Sequence, residues 1–199
     1  MLSVLKVLLV NISMTMGLHS DNLQQEFIKF DPYNLNAAYK VKKIATPIEQ
    51  DELIDVLCSS HVVEFGKAPQ ANRLALSWAQ VALENNRGKK VWNNNLGNQG
   101  PFRMDQEYYY HLRGGWPYRS FKSHEESGTA YWRLIKKCSM ALKAFDVGDP
   151  ETAAKSLKKC NYYSTDQEQY SRVLKSLYYE VKAKYKSNLN CGSQSQKNN

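Results

Sequence analysis

Apolar residues in "PIEQDELIDVLCSSHVVEF" fall close to every third or fourth position. Ile48, Leu53, Ile54, Leu57, Val62 and Phe65 thus lie roughly on one stripe of a helix that starts after Pro47 and stops at Gly66. A second helix is predicted from about Pro69 through "ANRLALSWAQVALE", with Leu74, Trp78, Val81 and Ala82 inward and Gly88 beyond its end. Between Gly88 and Ser123 the chain becomes rich in Asn, Gly, Tyr and Arg. There "EYYYHLRGGWPYRSF" predicts two short aromatic strands turned at Gly114 and Gly115, with Pro117 limiting their pairing.

Helical spacing resumes at Ser123, where "SHEE" is a capping box. That helix directs Tyr131, Leu134, Ile135 and Cys138 inward and is expected to run to Phe145–Gly148. Asp149 and Pro150 then supply an N-cap and a first helical residue. A last helix follows "STDQE" and runs toward Lys186. The expected architecture is mainly α, with one small β-hairpin. Residues 1–46 are read as an N-terminal helix and extended lead-in, 47–186 as the principal domain, and 187–199 as a polar, disordered tail.

In "MLSVLKVLLVNISMTMGLHS" two readings stay open. It resembles a signal peptide, but Lys6 and Asn11 interrupt the apolar run and no small-residue cleavage site follows. Leu2, Leu5, Leu9 and Ile12 also suit an amphipathic helix, and the run is too short and polar for a stable membrane span. The cysteines, Cys58, Cys138, Cys160 and Cys191, form no C-x-x-C pair. Buried free thiols are expected, a Cys138–Cys160 bridge being open to an oxidising compartment.

Charge narrows the partner. The 199 residues carry a formal net charge of +8, which suits a polyanion: nucleic acid, an anionic envelope polymer or an acidic membrane surface. Lys and Arg are dispersed along helices, as in "LIKKCSMALKAF", so solvated helix faces explain them without nucleic acid. His111 and His124 have no ligand-like spacing to each other or to cysteine, and neither metal nor cofactor is expected.

Glu84 stands where the second helix gives way to the loop "NNRGKKVWNNNLGN", sharing a face with Gln80 at i, i+4. Partial desolvation and the negative end of the helix dipole both disfavour its charge, which is what a general acid requires near neutral pH. Pairing with Arg87, Lys89 or Lys90 is the plainer role for such a residue.

The stretch "AQVALENNRGKKVWNNNLGN" resembles the signature of the peptidoglycan-cleaving glucosaminidase and lytic transglycosylase group with a lysozyme-like fold, the flagellar and phage muramidase type. In that group a helix reading A-Q-x-A-L-E ends in the catalytic glutamate and an N-L-G stretch follows. "YRSFKSHEESGTAYWRLI" and "AAKSLKKCNYYSTDQEQYSRVLKSL" resemble two later segments in the same order, so the similarity spans roughly residues 65–180. The resemblance implies a lysozyme-like α+β fold with the hairpin beside the catalytic helix. It implies a glycoside hydrolase (glucosaminidase or muramidase) or lytic transglycosylase, cutting β-1,4 bonds of the glycan strand. Glu84 then matches the general acid, Tyr163 the tyrosine facing it across the cleft, and Tyr170 a later packing tyrosine. Asn95, Leu96, Gly97 and Asn98 match the loop framing the sugar groove. Two positions depart from the pattern: Asn85 stands where Ser or Thr is usual, and Tyr162 where Gly is expected.

Such chemistry employs an acid and a second group that stabilises the oxocarbenium-like centre or activates water. Asp105 and Glu107 are the candidate second carboxylates, and the substrate's own N-acetyl group or anhydro-ring closure is the alternative. Gln80, Asn95, Asn98, Tyr108, Tyr110 and Trp116 are the candidate substrate-binding residues, with Trp92, Tyr109 and Tyr118 as further aromatics, about half of them serving the fold instead. The expected site of action is extracellular or periplasmic, in a bacterial wall or as a virion-associated phage endolysin with a virion or envelope partner. The competing functions are an inactive glycan-binding or structural component of the same fold, and a basic nucleic-acid-binding protein.

Overall fold

The computed structural model describes residues 37–101, 106–110 and 116–185, with Leu189 and Cys191. The N-terminal helix expected at Leu2 to Ile12 and the turn at Gly114 and Gly115 lie outside these residues. Six α-helices and one antiparallel two-stranded ribbon are present among them. They are α1 (Gln50–Phe65), α2 (Ala71–Asn85), β1 (Tyr108–Tyr110), β2 (Pro117–Arg119), α3 (His124–Lys137), α4 (Ser139–Val147), α5 (Pro150–Lys159) and α6 (Gln167–Tyr185). None of these helices is long and apolar enough to cross a membrane.

Helix α2 is the axis of the core. Every residue from Leu74 to Ala82 is buried, including Ser77 and Gln80, so the helix has no solvated stripe over that stretch. A helix apolar nearly all round must be surrounded, and α1, α4 and α6 pack against it. Arg73 ties α2 to α4 through Asp146 at 2.5 Å and donates to His61 Nε2 at 2.9 Å. His61 Nδ1 in turn donates to the Lys67 carbonyl at 2.7 Å. Burial, with Arg73 beside it, holds the His61 pKa below the usual histidine range, so the ring accepts as a neutral imidazole.

The expected α1 stripe is corrected at its end. Leu53, Ile54 and Leu57 are buried, but Val62 is 44% exposed and the fully buried His61 takes the inward position. At 100° per residue, position 61 returns to the Leu57 face while 62 overshoots it. Helix α1 lies against α3, where Ser60 Oγ donates to the Glu125 carbonyl and Gly128 faces the Ser60 side chain. A side chain at Gly128 would meet Ser60 Cβ at 3.0 Å and Val56 Cγ1 at 3.3 Å. Gly128→Val is therefore expected to cost about 1–3 kcal/mol by overpacking, read as a lower urea midpoint with the slope unchanged.

Ser123 caps α3, its Oγ accepting from Glu126 N at 3.3 Å, and Glu126 Oε2 accepts from Lys122 N at 2.9 Å. The single helix expected to run on to Phe145–Gly148 is instead two. The chain breaks at Cys138, at φ −93° and ψ 73°, and α4 starts at the next residue. No Gly or Pro marks this corner; Cys138 there is joined to Cys160, with Cα atoms 6.0 Å apart. Asp149 caps α5 as expected, accepting from Glu151 N and Thr152 N at 3.0 Å.

Both sulfur pairs are closed, correcting the expectation of free thiols. Cys58 of α1 is bonded to Cys191, with Cα atoms 5.6 Å apart. Leu189 beside it is 3% exposed, so this part of the polar tail is tied to the body. The lead-in also docks: Val41 N donates to the Tyr108 carbonyl at 2.9 Å and Thr46 N to the Val91 carbonyl at 3.0 Å.

Candidate active site

Glu84 lies in the last turn of α2, half-buried, and Asn86 ends the helix in the left-handed region at φ 53°. The fully buried Asn85 directs the exit. Its Oδ1 accepts from Gly88 N at 2.7 Å and its Nδ2 donates to the Leu96 carbonyl at 3.1 Å. Asn85 thus has a structural task, fastening the returning loop under the helix end.

The asparagine-rich loop is a set of such fasteners, and Asn93, Asn94 and Asn98 adopt positive φ, which this residue tolerates better than most. Asn93 Oδ1 accepts from Ile44 N at 2.8 Å, and Asn94 Nδ2 donates to the Phe121 carbonyl at 2.9 Å. Asn95, fully buried, donates to the Gln99 and Arg119 carbonyls and accepts from Gln99 N, all within 2.9 Å. Its amide serves the loop's interior rather than the surface of a groove. Asn98 does reach the site, donating to the Glu84 carbonyl at 2.7 Å and to Oε2 at 3.3 Å.

Four tyrosines gather around the glutamate. The Tyr170 hydroxyl donates to Glu84 Oε1 at 3.2 Å. Tyr163, expected to face the acid, stacks on the Tyr170 ring at 3.6 Å between centroids and gives its own hydroxyl to the Ala154 carbonyl. The two tyrosines exchange the expected parts because α6 carries Tyr170 inward, while Tyr163 precedes the helix and covers it. Tyr162 donates to the Gly97 carbonyl at 3.2 Å, and Tyr131 to Gln80 Oε1 at 2.7 Å. Burial first, and the Glu84 charge after it, push the Tyr162 and Tyr170 hydroxyls well above the usual phenol range. Burial, then Tyr162 and Glu84, do the same to Tyr131. All remain neutral donors.

Burial raises the Glu84 pKa, opposed by the hydrogen bonds from Asn98 and then Tyr170. Among the described residues, no cation and no second carboxylate contributes to these influences. Arg87, an expected salt-bridge partner, instead clasps Glu180 with bonds of 2.8 and 2.6 Å. Of the candidate second carboxylates, Glu107 is exposed ahead of β1 with its carbonyl accepting from Ser120 N at 2.8 Å, and Asp105 lies outside the described residues. Gln80 is fully buried on the Glu84 face of α2, and its Nε2 has no partner among the described residues.

The ribbon stands beside this cluster, close enough for the Glu84 charge to reach Tyr118, whose hydroxyl is raised by burial and then by that charge. Tyr108 is 3% exposed and packs edge-on against Tyr110 at 5.6 Å, an interior position rather than a sugar platform. Tyr110 is half-buried with the Lys40 ammonium 5.4 Å from its ring centre. Trp116 is 51% exposed and lies against Gly100, and Lys43 covers the half-buried Trp92 at 3.9 Å. Sequence reasoning missed the part of Tyr170 in holding the acid and that of Tyr162 in walling it. Neither carries a local signal, since each acts across 65 or more residues of chain. No protein family, curated protein or solved structure was found to match the chain.

Proposed function

We propose that the protein cleaves β-1,4 glycosidic bonds in the glycan strand of peptidoglycan, on a lysozyme-like scaffold, with Glu84 as the general acid. The observation that carries this reading is a half-buried carboxyl of raised pKa at the end of the central helix, oriented by two neutral donors, Asn98 and Tyr170. The ordered sequence resemblance supports it, and the exposed Trp116 supplies an aromatic face suited to a sugar ring.

In the first step the protonated Glu84 gives its proton to the leaving glycosidic oxygen as the C1–O bond breaks. Positive charge develops at C1, and the sugar's own N-acetyl oxygen or its 6-hydroxyl closes on that carbon. If the 6-hydroxyl attacks, its proton passes to the Glu84 carboxylate, which restores the acid and leaves an anhydro sugar. If the N-acetyl group attacks, Glu84 takes a proton from the water that later opens the ring, and the product keeps a reducing end. Either course needs a single carboxyl. The two disulfides favour an oxidising site of action, outside the cytoplasm.

Digestion of purified peptidoglycan, with the soluble fragments resolved by mass, tests the reading. Release of muropeptides supports it, and the end group identifies bond and course. A folded protein that releases nothing from several wall types refutes it in favour of an inactive glycan-binding role.

A pH profile tests the acid separately. Glu84 acts when protonated, so activity is lost as pH rises through its raised pKa. Tyr170→Phe removes a bond that stabilises the carboxylate, so its alkaline limb is expected to move to higher pH. Tyr163→Phe, whose hydroxyl serves Ala154, is expected to leave the limb in place. A downward move in Tyr170→Phe would contradict the assigned hydrogen bond.

A further inference from the structure

A concavity of about 430 Å³ opens between the end of α2 and the middle of α6. Leu83 lines it from α2, Asn86 and Arg87 from the exit that follows α2, and Arg172, Val173 and Leu177 from α6. Leu83 stands about 100° round the helix from Glu84, and Asn86 and Arg87 lie in the left-handed exit just beyond it, so the cleft adjoins the same helix end without including Glu84. Its floor is apolar, with Leu177 buried and Leu83 half-buried. Its two cations differ. Arg87 is held by both oxygens of Glu180, whereas Arg172 is exposed and has no partner among the described residues.

We propose that this cleft binds the free carboxylate end of a short peptide, namely the stem peptide that hangs from the glycan strand. The identity of the peptide rests on the glycan-cleaving reading of Glu84. A guanidinium with unused donors matches a carboxylate in two-point geometry. The apolar floor beside it takes the small methyl side chains next to that terminus. The reach also fits: a helix with its side chains is about 10–12 Å across, and five extended residues span about 16–18 Å. A sugar held at Glu84 can therefore lay its peptide over the helix end, so that peptide-bearing strands are retained in preference to bare ones.

Calorimetric titration with a synthetic five-residue stem peptide tests this, using Glu84→Gln protein so that cleavage plays no part. The free acid is expected to bind, and the carboxamide-ended peptide and the Arg172→Ala variant to bind at least about tenfold more weakly, the loss of one charge-assisted contact. No binding of the acid, equal binding of the amide, or an unaffected Arg172→Ala would overturn the proposal. Equal affinity for an all-L peptide acid would also overturn it, assigning the cleft to protein termini instead. Because no glycan is present, these outcomes are separate from success or failure of the digestion assay.

Discussion

Glu84→Gln is expected to lower peptidoglycan cleavage by about 10²–10⁴-fold, the range of a positioned general acid, and at the same time to raise thermal stability at neutral pH. The activity loss follows from replacing a transferable proton with an amide that fills the same space. The stability gain follows from linkage. Burial raises the folded pKa of Glu84 above its unfolded value, so the folded state binds the proton more tightly. The stabilising contribution is complete below the unfolded pKa and is lost as pH rises through the folded one. At neutral pH the wild type therefore carries a cost that glutamine avoids, while the amide oxygen can accept from Asn98 and the amide NH2 can donate to the Tyr170 hydroxyl. Melting curves across pH separate the outcomes. The variant's advantage over wild type should grow from acid to neutral pH, and an advantage that shrinks over that range would show that Glu84 is not held against its charge. Retention of full cleavage would remove Glu84 from the chemistry.

The helical body was legible because its signals are local. Capping by Ser123 and Asp149 and the aromatic ribbon around Tyr109 and Tyr118 occur where periodicity and turn residues put them. The α3–α4 corner was not, because it falls at Cys138 without Gly or Pro and coincides with a bond to a cysteine 22 residues away. The site divides in the same way. Glu84 and Asn98 could be read from one stretch of chain, since the acid and its carbonyl are fastened within 14 residues. The hydroxyl that orients the acid comes from Tyr170, 86 residues on. Tyr163 and Tyr170 both lie near the start of α6, and only the packing of that helix decides whose hydroxyl reaches the acid. Asn95 and Tyr108 looked like groove residues because polar and aromatic types in a loop are ambiguous; the fold uses one as a fastener and the other as a wedge under the ribbon.

Loss of the Cys138–Cys160 bridge is expected to weaken both the fold and the site. Closing a separation of 22 residues in the unfolded chain contributes about 3 kcal/mol by loop entropy. That is a large share of the 5–15 kcal/mol typical of whole domains. The bridge also stands where it can act on the acid. Cys160 ends α5, Asn161 follows at φ 56°, and Tyr162 N returns to the Leu157 carbonyl at 3.0 Å before its ring crosses to Gly97. Freeing Cys160 loosens this exit, and with it the tyrosine that helps keep the Glu84 carboxyl out of water. Cys160→Ser paired with Cys138→Ala should therefore lower the urea midpoint, and shift the alkaline limb of activity downward as Glu84 becomes better solvated. The Cys58–Cys191 bridge, closing 133 residues, contributes about 5 kcal/mol on the same reckoning but meets α1 rather than the tyrosine wall. Its removal should lower the midpoint and leave the pH limb where it was. A double variant at 138 and 160 with an unchanged pH limb would separate this bridge from the acid and leave it a purely structural clamp.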